Sequence, residues 1–357
     1  MKILLLGEFS ALHKNIKEGL VCLGHDVTIV STGDGWKKIE SDISLSSNKK
    51  GIAAIFDKLY KLVKLTTELK GYDVVQLVSP VIFPIKFGIN KALIKLIIKN
   101  NKKTFLVTAG CNDFATADFF EHNYKYPQFY KEIKNSLNGF IWCQSKAGRK
   151  YNQWLFENVN GVIPIMYEYA QGFRDIGYEK LLPTAPIAIN VDEIEYTDNI
   201  VNDKIIFFHG LNREGVKGTP LIVEALNNLQ KKYPNEIEVI IEGQMPLSEY
   251  LKTLAKSNVV IDQVYSCSNG VNAIYSLAMG KVVVGGGEVE SLHEFNIECS
   301  PLITIQDCVL DIETQLEKII NNKTEIINIG RKSRDYVEKL HNYKSVAQQY
   351  VDIWSKG

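Results

Sequence analysis

Two doubly wound α/β domains in tandem are predicted by this sequence of 357 residues, and three observations predict them. Short β-branched or Leu-rich runs alternate with helical patterns from end to end, the order that parallel strands with crossover helices require. The chain is too long for one hydrophobic core, since domains run to roughly 100–200 residues. A proline-bracketed stretch without helical period separates two such series near the middle. The composition, 45% hydrophobic and 23% charged, is that of a folded globular chain and excludes a disordered one.

The elements follow in order. Lys2–Leu6 is the first strand, because its apolar run is too short for a signal peptide and meets Glu8 almost at once. Asp26–Val30, Val74–Leu77, Thr104–Thr108 and Gly139–Trp142 continue the first series. Pro183–Asn190, followed by the acidic, turn-rich Val191–Asp203, reads as the linker. Ile205–His209, Glu238–Glu242, Val259–Asp262 and Lys281–Gly285 are the strands of the second series. Arg331–Leu340 reads as a helix that breaks at His341-Asn342-Tyr343 and resumes as Lys344–Trp354. The expected division is 1–190, 203–335 and a closing helical segment 336–357. Each sheet places its loops at the carboxyl ends of its strands, which makes the cleft between the domains the expected site.

Lys and Arg number 41 and Asp and Glu number 41, so no basic excess points to nucleic acid. The signs are unevenly placed: residues 1–200 hold 25 basic and 21 acidic side chains, and residues 201–357 hold 16 and 20. Residues 44–110 concentrate the excess, with 12 lysines against Asp57, Glu68 and Asp73. Within them Phe83–Lys103 sets six lysines (86, 91, 95, 99, 102 and 103) among apolar residues and has no acid. That pattern suits a helix on an anionic membrane surface, and equally a sheet-packing helix with a lysine-rich solvent face. The six cysteines include no C-x-x-C pair, so neither a zinc knuckle nor a disulfide framework is expected and a reducing cytoplasm is the expected compartment. No run of about 20 apolar residues suggests a membrane span. The histidines lack H-E-x-x-H and H-x-H spacing, so no metal site is expected.

The sharpest local signal is Phe207–Pro220, which runs from a strand through a glycine-punctuated loop into a helix. Thr219 suits the N-cap and Pro220 the first helical position, where its missing N–H costs nothing. Gly210, Gly215 and Gly218 let backbone approach a ligand, while Arg213 and Lys217 add positive charge beside the helix N-terminus. The pattern fits a diphosphate, or an ordinary βα loop with two surface cations. It is not a Walker loop, since G-x-x-x-x-G-K-[ST] is absent.

On Arg213, Lys217-Gly218, Asp262-Gln263 and Asn269–Val283, whose end looks like "A-M-x-G-x-P-V-V", the chain resembles the GT-B glycosyltransferases, in particular the retaining nucleotide-sugar-dependent enzymes of glycosyltransferase family 4. The resemblance implies two Rossmann-like domains facing a central cleft, with a closing helix that crosses back to the first. It implies a donor site on the second domain made of His209, Gly210, Arg213, Lys217, Gly218, Thr219, Glu242, Gly243, Asn269, Gly270, Tyr275 and Glu288. Arg213 and Lys217 would carry the catalytic charge. No cofactor is implied; the nucleotide-diphosphate sugar is a substrate, and a glycan or lipid-linked glycan is the acceptor. One departure stands out: where such enzymes place a Glu, seven residues and a second Glu, this chain has Cys267 and Tyr275. Tyr275 offers ribose a hydroxyl but no charge-assisted bond. Glu288 and Glu290, on the next loop, are either substitutes or solvated acids.

On the first domain the resemblance implies acceptor loops at Gly7-Glu8-Phe9 and at Asp113. Gly7–Ser10 lacks G-x-G-x-x-G, which weakens a dinucleotide reading. Asp113 suits catalysis on the acceptor side, and equally the N-cap of the following helix. Two other classes remain open from the sequence: a glycan-binding scaffold disabled by the missing Glu pair, and a nucleotide-sugar epimerase.

Overall fold

The computed structural model describes the chain apart from residues 36–38, 48, 52–56, 58–60, 62–63, 66–67, 137, 212–213 and 244–246. It divides into two compact units: Met1–Asn123, Leu137–Ala188 and Tyr343–Gly357 form unit 1, and Tyr124–Ser136 and Ile189–Asn342 form unit 2.

Unit 1 is built on a six-stranded sheet from β1 (Lys2–Leu6), β2 (Asp26–Ser31), β3 (Ile43–Ser44), β4 (Val74–Leu77), β5 (Lys103–Thr108) and β6 (Gly161–Pro164). The order is β3-β2-β1-β4-β5-β6, and every pairing is parallel. Helices cover both faces of such a sheet, which is why β1 is an unbroken apolar run and Ile3–Leu6 are fully buried. Chain order reverses between β1 and β4, and the crevice beyond their carboxyl ends is the switch point where ligands enter this kind of sheet. Unit 2 has a second parallel sheet of β7 (Ile205–Gly210), β8 (Ile237–Glu242), β9 (Val259–Ile261) and β10 (Val282–Val284), ordered β10-β9-β7-β8. Its reversal lies between β7 and β9.

The two parallel sheets are those that the alternating pattern predicts, with two corrections, the first being the edge strand Ile43–Ser44, too short to carry an alternating pattern. Gly139–Trp142 is not a strand: it lies in the helix Asn138–Gln144, and the sixth strand is Gly161–Pro164. Four apolar-rich residues fit either element, and tertiary packing decides. Here Cys143 is fully buried and the Trp142 ring packs on Tyr151 of the helix Lys146–Asn158.

The proline-bracketed stretch is packed rather than free: Ala185, Ile187, Ala188 and Ile189 are buried, and the Ala185 N–H donates to Pro164 O at 2.9 Å. The chain passes from unit 1 to unit 2 at 188/189 and returns at 342/343. The helix Ile326–Leu340 ends there, and the helix Tyr343–Lys356 packs on the helix Leu12–Cys22 of unit 1. Gly19 makes that contact: a Cβ there would stand 2.2 Å from the Tyr343 carbonyl oxygen and 2.7 Å from the Ala347 Cβ. Gly19→Ala is therefore expected to cost about 1–3 kcal/mol, because backbone must move to admit the methyl group. Urea denaturation checks it, and an unchanged midpoint would remove the close contact from the account. Among the described residues no helix is long and apolar enough to cross a membrane.

Candidate functional site

The carboxyl ends of β7 and β9 bring together the residues with the clearest chemistry. Lys217, at the end of the short helix Glu214–Lys217, is almost buried, and its Nζ donates to Asp262 Oδ1 at 2.7 Å. Asp262, the residue after β9, is itself buried, and its N–H donates to Val284 O of β10. The Val264 N–H donates to Lys217 O, so the loop after β9 is tied to the lysine through backbone as well. An ammonium has three N–H donors. One is on Asp262 and the other two have no partner among the described residues. His209, on β7, lies beneath: its Nδ1 is 2.8 Å from Ile261 O and its Nε2 is 2.9 Å from Thr219 Oγ1. Burial pushes the His209 pKa down to about 4, and the neighbouring Lys217 charge works in the same direction. The imidazole is thus neutral and structural, positioning Thr219 rather than meeting a ligand as a cation.

The helix Thr219–Lys232 departs from the expected capping. Its N-cap is Gly218, left-handed at φ 74, and Thr219 is the first helical residue, with its hydroxyl turned to His209. The N–H groups of Leu221 and Ile222 both go to Gly218 O, and Pro220 has none, so this helix start presents fewer donors than expected. Gly210 and Gly218 do lie at the site. Arg213 lies outside the described residues.

The Asn269-Gly270 turn reaches Asp262 through Gly270. Gly270 caps the helix Val271–Ala278, and a Cβ on it would stand 4.0 Å from Asp262 Oδ2. Asn269 is only 4% exposed, and its Nδ2 has no partner among the described residues. A buried NH2 without an acceptor costs about 1–3 kcal/mol, so its place beside a helix start fits an acceptor brought by a ligand. Tyr275 is half-buried one turn further on.

Glu288 is buried and forms the N-cap position of the helix Val289–Glu294. It is not a solvated acid. Lys125 Nζ donates to its Oε2 at 2.6 Å and Tyr126 Oη donates to its Oε1. Burial, then the Glu288 carboxylate, raise the Tyr126 pKa, so the phenol stays protonated as donor. The Cys267 thiol lies within 4.8 Å of carboxylate oxygens of Glu288 and Glu290, and Glu290 Oε2 is buried without a partner. Tyr124 completes the cluster: its hydroxyl donates to Tyr265 O and accepts the Cys267 N–H at 3.2 Å. These bonds place Tyr124–Ser136 in unit 2, although in sequence it falls inside 1–190. Glu242 is exposed at the end of β8, and its carbonyl accepts the Leu211 N–H. Gly243 abuts the protein's own chain, since a Cβ there would meet Leu211 O at 2.4 Å.

In unit 1, Gly7, Glu8 and Phe9 line a small pocket with Ser31, Val78 and Ser79 at the switch point of the sheet. The Glu8 carboxyl is buried and accepts the N–H groups of His13 and Lys14 at the start of the helix Leu12–Cys22. Burial pushes its pKa up from 4.5 to about 7, against those bonds. The folded protein therefore holds a proton that the unfolded chain releases between about pH 4.5 and 7, and Glu8 costs stability as pH rises through that window. His13 and His209, both pushed down to about 4, act oppositely between about pH 4 and 6.5, while Asp113, pushed up by burial to about 6, acts with Glu8, so the wild-type profile is nearly flat. The difference between Glu8→Gln and wild type isolates Glu8. It is expected to move in favour of the variant by up to about 3 kcal/mol from pH 4.5 to 7, at ~1.4 kcal/mol per pKa unit, in thermal melts across pH. A pH-independent difference would contradict it. Asp113, by contrast, is the N-cap of the helix Phe114–His122: its Oδ1 accepts the Thr116 N–H and its Oδ2 the Thr116 hydroxyl. Both oxygens are spent on the fold.

Lys125 and Tyr126 are the site residues that the motifs did not single out, and Asp262, which with Gln263 helps to carry the resemblance, has no role in the site that the resemblance implies. Asp262 had a signal in its position at a strand end. The other two had none, being more than 130 residues away in sequence from the loops they touch.

No protein-family model matches the sequence, and no curated protein matches it. Solved structures do match in fold. Sucrose-phosphate synthase from Thermosynechococcus elongatus superposes with a TM-score of 0.65 at 14% identity, over 100% of this chain and 99% of that one. Anabaena HepE in complex with UDP-glucose gives 0.64 at 11%, over 100% of both chains. The UDP-GlcNAc 2-epimerase of Neisseria meningitidis, bound to UDP-GlcNAc, gives 0.55 at 12%, again over 100% of both. At such identities the likeness is one of fold alone, and that fold, two parallel-sheet Rossmann-like units in one chain, is GT-B.

Proposed function

We propose that the protein is a glycosyltransferase that moves a sugar from a nucleotide diphosphate donor to a hydroxyl of a glycan or lipid-linked glycan, with retention of configuration and without a metal, in cell-surface polysaccharide or glycoconjugate synthesis. The observation that carries the reading is the meeting at the β7/β9 switch point of Lys217, paired with buried Asp262 and with two N–H donors uncommitted among the described residues, and of the Asn269-Gly270 turn, whose Gly270 lies beside Asp262 Oδ2 and whose Asn269 NH2 has no partner among those residues. Such donors, fixed before the ligand arrives, suit a diphosphate that gains charge as it leaves. Arg213, on the same loop, adds a second cation. HepE and the epimerase, whose structures hold UDP-sugars, support a nucleotide sugar as the ligand class. The switch-point pocket at Gly7–Phe9 is the acceptor side.

Calorimetric titration with UDP, GDP, ADP and their sugars, with chelator present, tests the reading. Binding by one nucleotide series, weakened at least tenfold in Arg213→Ala, is expected. Absence of binding by all of them would leave a scaffold with a disabled site. Conversion of a bound UDP-sugar to its epimer without acceptor would replace transfer by epimerisation.

A further inference from the structure

The most exposed large apolar side chain among the described residues is Phe87, at 98%, well above the next, Leu310 at 73%. It stands in the turn before the helix Ile89–Asn100, beside Ile85, itself 40% exposed. Phe87 is also left-handed, with φ 58, a conformation that bulky side chains rarely adopt. A loose loop would relax out of it, but this turn is pinned from below by buried Asn90. The Asn90 Oδ1 accepts the N–H groups of Ile82 and Phe83, and its Nδ2 donates to Pro80 O and the Tyr151 hydroxyl. The helix then turns Ile94 and Ile97 inward and Lys91, Lys95 and Lys99 outward. Lys91 lies over the Trp154 ring, 4.7 Å from its centroid, whereas Lys86, Lys95 and Lys99 are exposed and in no ion pair among the described residues.

We propose that Ile85–Phe87 and the exposed lysines of this helix form a docking surface for an anionic lipid bilayer, with Phe87 inserted at the headgroup level and Lys86, Lys95 and Lys99 against lipid phosphates and carboxylates. Charge complementarity selects this occupant: an acid-free stretch that offers an aromatic wedge among cations matches an interface that is apolar beneath and negative above. A solvent face alone would account for the lysines. It does not account for a fully exposed aromatic held in a strained turn. The surface is independent of the sugar-transfer reading and survives its failure.

The test is co-sedimentation of the whole protein with phosphatidylcholine vesicles, with and without phosphatidylserine. Binding is expected only with phosphatidylserine, and it should fall as salt is raised. Phe87→Gly is expected to bind at least tenfold more weakly while its melting temperature stays level or rises, since glycine adopts the positive φ without strain. Lys86→Ala/Lys95→Ala/Lys99→Ala should weaken binding about 100-fold, at about fivefold per lysine. Nucleotide binding should be unchanged in both variants. Failure to bind anionic vesicles, or equal binding by Phe87→Gly, would overturn the proposal. So would a Phe87→Gly variant that altered only the oligomeric state in light scattering, which would make the turn a contact between proteins.

Discussion

Alanine at both Arg213 and Lys217 is expected to lower sugar transfer by about 10³-fold or more, with a smaller effect on donor affinity. The reason is where charge appears. On the proposed reading, the diphosphate in the ground state is partly neutralised by bonding to the sugar, and as that bond breaks negative charge grows on the leaving oxygen, which the cations of this loop would offset. Lys217 is poised for this because Asp262 holds its ammonium at the strand ends, 2.7 Å away, at no cost in reorganisation when the donor arrives. Single-turnover rates with saturating donor would measure the loss in the chemical step, and titration would measure affinity separately. Turnover like that of the wild type in the double variant would reject the assigned site.

The same ion pair makes a large prediction about stability. Lys217→Ala alone is expected to destabilise unit 2 by about 3–5 kcal/mol, because it leaves the buried Asp262 carboxylate without its counter-charge. The side chains of Lys217 and Asp262 are 11% and 4% exposed, so water reaches neither well enough to substitute. Lys217→Met/Asp262→Asn, which removes both charges and keeps the volume, should recover most of the loss, since a buried pair gains little over an apolar substitute. Urea denaturation of four forms, wild type, Lys217→Met, Asp262→Asn and the double variant, gives the coupling directly. If the single and double variants were equally unstable, the lysine would be acting through packing and not through charge. The cycle also separates the activity loss from unfolding: the transfer assay belongs at a temperature where all four forms are folded.

Local rules account for much of what the structure shows. Most strands of both sheets are legible because each is an apolar run of the length and β-branched content that a doubly covered parallel strand needs, whereas Ile43–Ser44 and Gly161–Pro164 are too short or too broken by Gly and Pro to be read so. The loop after β7 is legible because glycines and cations between a strand and a helix have few uses. Gly139–Trp142 misleads for the same reason that the others succeed: four apolar-rich residues carry no period, and only their packing on Tyr151 and its helix makes them helical. Thr219 misleads because local capping chemistry favours it, while a buried histidine ten residues earlier claims its hydroxyl.

What the sequence by itself determined, then, is the fold class and the placing of Lys217, Asn269 and Gly270 at strand ends, since periodicity and turn chemistry act over a few residues. What only the tertiary structure decided is which of these groups are spent and which are available. Asp113 is consumed as a cap, His209 is silenced by burial, and Glu288 is claimed by Lys125 and Tyr126 from a segment that joins the other unit. Hydrogen-bond partners, burial and the charges they shift depend on contacts between residues far apart in the chain, and no local pattern encodes them.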